Sequence, residues 1–132
     1  MKSINNFILE KLKLNKQSKL KKEWSIEDAK NGDIITINVV RVKIKYICIF
    51  KCIEPDKDVS ETPVIRIYGY YNCVTKYFVI MPPTHYFGNL HDVELKRNIC
   101  SLSTEEEKQK LFEAMKYEGY EWDEKKKELK EI

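Results

Sequence analysis

At 132 residues the chain is the length of one domain and long enough to bury a core. Charged residues make up 34% of it, but eight Tyr, five Phe and two Trp supply large side chains for packing and exclude general disorder. No charge-free stretch approaches the roughly 20 apolar residues of a membrane span. Glu10 and Lys11 interrupt the Phe7-Ile8-Leu9 cluster, so no secretory signal is expected there and a cytoplasmic location is.

Net charge is +3, unevenly spread. Residues 1–24 carry seven Lys against Glu10 and Glu23, a net +5. Residues 103–132 carry seven Lys against ten acids, a net −3. A basic head and an acidic tail suit pairing with one another or with different partners. Cys48, Cys52, Cys73 and Cys100 form no C-x-x-C pair and no zinc-spaced Cys/His set, so they are read as buried thiols.

Residues 4–14 read as a helix. Ile4, Phe7, Ile8, Leu12 and Leu14 share one arc of the helical wheel, and Ser3 stands ready as N-cap. Residues 15–23 hold a single apolar residue and read as a basic linker. The chain therefore divides into a head and linker, 1–23, and one domain, 24–132. Phe7, Ile8 and Leu12 are the expected docking stripe for a protein partner. An equal alternative has that helix pack on its own domain.

Ser25 with Glu27 and Asp28 signals one helical turn, and Asn31-Gly32-Asp33 a tight turn into a strand starting at Ile34. From Ile44 to Ile53 apolar residues alternate, placing Ile44, Tyr46, Cys48, Phe50 and Cys52 on one side. Lys43, Lys45 and Lys51 fall on the other. A second strand from Val64 to Tyr71 places Arg66, Tyr68 and Tyr70 on one face. Lys76 to Met81 reads as a third strand, stopped by Pro82-Pro83. Residues 84–100 read as a long loop with a short strand near Val93-Glu94-Leu95. Ser103 with Glu106 reads as the capping box of a helix buried along Leu111, Phe112 and Met115, and Gly119 as its left-handed end. A short hairpin over Tyr120–Trp122 and Glu128–Lys130 follows.

No chemistry-bearing motif stands out. His85 and His91 lie in the long loop beside Asp92 and Glu94, at a spacing that specifies no metal site. Four glycines, at 32, 69, 88 and 119, never approach a phosphate-binding pattern, and no serine sits in a nucleophile elbow. A non-enzymatic protein without cofactor or metal is expected. Lys43, Lys45, Lys51, Arg66, Tyr68 and Tyr70 carry an alternative, a nucleic-acid-binding small β-barrel that stacks bases and contacts phosphates.

The run from Ser103 to Ile132 resembles an ending found in small proteins of gut Bacteroidales phages and integrated elements. Leu111, Phe112, Met115, Gly119, Tyr120, Trp122, Asp123, Lys126, Leu129 and Ile132 match its helix and hairpin. "DAKNGDIIT" and "ICIFK" are similar to strand openings of the same group, and "INNFILEKLKLNK" to a segment preceding unrelated domains in phages of those hosts. Pro82-Pro83 and a longer loop before the helix depart from the pattern. The resemblance implies a phage or mobile-element protein in a bacterial host cell, and carries no catalytic residue.

The expected architecture is α+β: a small twisted antiparallel sheet or partly open barrel, an N-terminal amphipathic helix, and a C-terminal helix followed by a β-hairpin. The expected function is an accessory protein acting by protein–protein binding, on a host factor such as a defence component or on phage machinery. A virion-associated structural or packaged protein is a further alternative.

Overall fold

The computed structural model describes residues 23–55 and 62–132. The expected head helix, with Phe7, Ile8 and Leu12, lies outside the described residues. The α+β expectation is corrected: 44% of the described residues are strand and 20% helical, so the domain is mostly β.

A 3₁₀ turn at Ile26–Asp28 opens the described chain. Then come β1 (Ile34–Val39), β2 (Ile44–Pro55), β3 (Pro63–Asn72), β4 (Phe78–Ile80), β5 (Gly88–Asn89), helix α1 (Leu90–Glu94), β6 (Asn98–Leu102), helix α2 (Glu105–Tyr117), β7 (Tyr120–Asp123) and β8 (Glu128–Glu131). Six strands make one antiparallel sheet in the order β4-β3-β2-β1-β6, with β5 beside β4 on the outer side of β3. Among the described residues β7 and β8 pair only with each other. Among the described residues no ladder joins β6 to β4 or β5, so the hydrogen-bonded sheet is open, although the Asn98 side-chain amide comes within 3.4 Å of where a Cβ on Gly88 of β5 would stand.

Two departures arise where local chemistry overrode the reading from pattern. Val93–Leu95 is not a strand: the Asn89 side chain accepts the Asp92 N–H at 2.9 Å and starts α1 there. Nor does Ser103 cap the long helix. Its N–H is taken by the Ile34 carbonyl at 3.0 Å, continuing the β6 ladder, so the cap passes to Thr104, with Glu107 completing the capping box. Residues 84–100, expected as loop, instead hold β5, α1 and the start of β6.

The sheet buries both faces. Ile35, Ile37, Cys48, Phe50, Ile65 and Ile67 face a cover of Ile26, Phe87, Leu90 and Val93. On the other face Ile34, Ile47, Ile49, Tyr71 and Phe78 pack under Leu111 and Met115 of α2 and under the hairpin. Gly32 at φ 93° and Gly119 at φ 88° hold the two left-handed turns that begin β1 and end α2. Among the described residues no helix is long and apolar enough to cross a membrane.

A polar thread ties α2 to the sheet. The Thr36 and Ser103 hydroxyls share a buried 2.7 Å hydrogen bond. Burial pushes the Glu107 carboxyl up, but the Thr104 N–H, the Lys45 ammonium at 3.3 Å and the Thr36 hydroxyl outweigh it and hold it below its ordinary value. A depressed folded value means that this stabilisation is complete above the unfolded value, about 4.3, and is lost as pH falls through the folded one. The urea midpoint is therefore expected to fall on acidification below pH about 4.3, and to fall less for Glu107→Gln over that window. Equal falls in urea titrations of both proteins would exclude this role.

Candidate functional site

Two bulges place the site. Ile49 pairs with Gly69 and Phe50 with Ile67, leaving Tyr68 as an extra residue in β3. Phe50 pairs with Ile67 and Cys52 with Arg66, leaving Lys51 extra in β2. Each bulge reverses the alternation that the sequence pattern assumes. Tyr70 consequently packs with the first cluster, edge-on to Tyr46 at 5.4 Å, while Tyr68 joins the second, 4.9 Å from Trp122. The expected Arg66-Tyr68-Tyr70 row does not exist. Cys52 likewise leaves the face of Cys48, and Ile53 takes its place there.

The chain leaves the sheet beside these bulges. Met81 N–H donates to the Tyr68 carbonyl at 2.9 Å and Phe87 N–H to the Ile65 carbonyl at 2.9 Å. Residues 82–86 arch out between those points. Arg66 fastens the arch: Nη1 donates to the His85 carbonyl at 2.7 Å and to the Pro83 carbonyl at 3.3 Å, and Nε donates to Glu54. The guanidinium also lies 6.0 Å from the Tyr86 ring centre. With Nε spent on Glu54 and Nη1 on two arch carbonyls, Arg66 is a positioning residue for the arch.

The opposite wall is the hairpin. Lys130 at 2.8 Å, then the Lys126 and Lys125 N–H groups, hold the Asp123 carboxyl down at about 2 and fix the turn. Tyr120 stacks 6.0 Å from Phe78. Between arch and hairpin runs an open groove of about 420 Å³, lined by Met81, Pro82, Pro83 and His85 on one wall and Tyr120, Leu129, Glu128 and Glu131 on the other. Lys51 and Tyr68 line it too, the ammonium 5.6 Å from the ring centre. Tyr68 O–H donates to Asn31 at 2.8 Å, fixing the ring.

Of the six residues suggested for nucleic acid, the structure brings Lys51, Arg66 and Tyr68 together here. Tyr70 belongs to the opposite face, Lys45 is paired with Glu107, and Lys43 occupies the β1–β2 turn at φ 55°. Of the arch and hairpin residues, His85 is weighed from sequence only as a metal ligand, and Met81, Pro82, Pro83, Tyr120 and Leu129 are not expected as site residues. Their signal was the aromatic and proline content of "MPPTHYF", a loop too rich in such residues for mere connection.

His85 bonds its neighbour Thr84 at 3.1 Å, and His91 lies on α1. Among the described residues no three His, Cys, Asp or Glu side chains cluster as metal ligands. All four cysteines are free thiols. Burial raises Cys48 well above its ordinary value and Cys100 to about 11, which keeps both protonated near neutrality.

Comparison with protein-family models, curated proteins and solved structures returns no match for the chain.

Proposed function

We propose that this chain is an accessory protein of a phage or mobile element that acts by binding another protein, which it holds in the groove between the arch and the hairpin. The phage setting is supported by the resemblance of residues 103–132. The binding role is supported by one observation: tyrosine, methionine, proline and leucine line an open groove that the exposed Lys51 also lines. Tyr, Trp, Met and Arg are the residue types that interfaces concentrate, and rigid aromatic anchors carry most of their energy. Lys51 has no carboxylate partner among the described residues. The occupant is a protein segment that seats an apolar side chain on Tyr68 and Tyr120 and brings a carboxylate to Lys51.

The test is retention of host and phage proteins by the full-length chain, compared with Lys51→Glu and Met81→Glu. Both positions border the groove, and Lys51 is exposed. A protein kept by the wild type, lost at least about tenfold by both variants and unaffected by nuclease supports the proposal. Retention that nuclease abolishes, with affinity falling steeply as salt rises, overturns it in favour of nucleic acid.

A further inference from the structure

β6, at the end of the strand order, is an edge strand of the six-stranded sheet. Ser103 N–H donates to the Ile34 carbonyl and Val40 N–H to the Arg97 carbonyl, at 3.0 and 2.9 Å. Hydrogen-bonded pairs alternate along an antiparallel ladder, so the bonded pairs between them are Thr36 with Ser101 and Asn38 with Ile99. Asn98, Cys100 and Leu102 therefore aim their N–H and C=O groups away from β1, and no bond among the described residues takes them up.

Edges of this kind are normally blunted by charge, proline, a bulge or shortness. The far edge is blunted: β4 has three residues and runs into Pro82-Pro83. β6 has none of these devices. Its five residues, Asn98-Ile99-Cys100-Ser101-Leu102, carry no charge, and Ile99 and Leu102 are each half exposed.

The flanks say what fits it. Lys96 and Arg97 precede the strand, and Glu105 and Glu106 follow it, the acidic side chains 91% and 82% exposed, with Arg97 paired to Asp92, Glu105 to Lys108 and Glu106 to Lys110 only at the surface. A second β6 laid antiparallel on the first brings the basic end of each copy to the acidic end of the other. That complementarity occurs twice, about a two-fold axis near Cys100. We infer that β6 pairs with β6 of a second copy, joining two sheets into one continuous antiparallel sheet. Both copies spend the same edge, so the assembly closes at two rather than growing into a fibre. This pairing does not depend on the groove, although Asn98 at the start of β6 shares a cavity with Met81, Tyr86 and Phe87 of the arch.

Hydrogen exchange of the full chain, read per residue by NMR over about a hundredfold range of protein concentration, tests the pairing alongside light scattering. The expected result is a dimer mass at the high end, with the Asn98, Cys100 and Leu102 amides exchanging at least about tenfold more slowly than on dilution. Ile99→Lys sets two cations near each other across the two-fold and is expected to return the monomer mass with an unchanged fold. A monomer with fast exchange throughout overturns the inference. So does protection that ignores concentration, since it means that another segment of the same chain covers the edge. A dimer that survives Ile99→Lys also overturns it, because the interface is then elsewhere.

Discussion

Leu111→Ala is expected to cost about 3 kcal/mol of folding stability. Leu111 is wholly buried in the cluster shared by α2, the sheet and the hairpin. Alanine there removes most of a side chain that Ile47, Ile49 and Phe78 surround, and an extended sheet gives way too little to fill the hole. Against a total of about 5–15 kcal/mol for a domain of this kind, that is a large fraction. Phe112→Ala is the control. Phe112 is the next residue and larger, but it is 40% exposed on the flank of the helix, so its loss is expected to cost under about 1 kcal/mol. Chemical denaturation reads both: the Leu111→Ala midpoint drops with the slope unchanged, while Phe112→Ala stays near wild type. Similar costs for the two would mean that α2 is not seated as described. The comparison also corrects the sequence reading, which placed Phe112 in the buried stripe with Leu111 and Met115.

What the sequence displayed and what it hid divide along one physical line. Elements whose signal is local were legible. β1, β2, β3 and the hairpin follow from alternation and turn residues, and α2 from its acid-rich first turn and apolar stripe. What depended on a partner far along the chain was not. Ser103 looks like a cap until β1 takes its N–H, and residues 98–102 show no strand pattern until β1 supplies a ladder. The site was hidden for the same reason. Arg66, Tyr68 and Lys51 were noticed as residue types, but nothing in strict alternation announces that Tyr68 and Lys51 bulge out of register. Nor does a long loop of little periodicity announce that Arg66 will pin its carbonyls. A reading with period two can list the members of this groove but cannot assemble them.

Gly69→Ala is expected to be nearly as damaging, at about 2–3 kcal/mol, although it adds only one methyl group. A Cβ at Gly69 would stand 2.6 Å from Phe78 Cζ, 2.9 Å from Cε1 and 2.9 Å from the Val79 carbonyl oxygen. The Val79 oxygen is backbone of β4, which pairs with β3 at this point, so it cannot swing aside without opening the ladder. Phe78 is buried, and its outward path is closed by Tyr120, whose ring centre lies 6.0 Å away. The strain must then pass into the hairpin that forms one wall of the groove. Partner retention is accordingly expected to weaken along with stability, whereas Leu111→Ala assayed below its unfolding transition leaves retention closer to wild type. Gly69 also adjoins the bulge at Tyr68, and a side chain there favours regular alternation over the bulged register that aims the Tyr68 ring at Trp122. Loss of the Tyr68–Trp122 contact is measurable as a change in tryptophan fluorescence under native conditions. If Gly69→Ala leaves the denaturation midpoint and the fluorescence unchanged, the close approach of Phe78 to β3 is wrong and the bulge is not held in the way described.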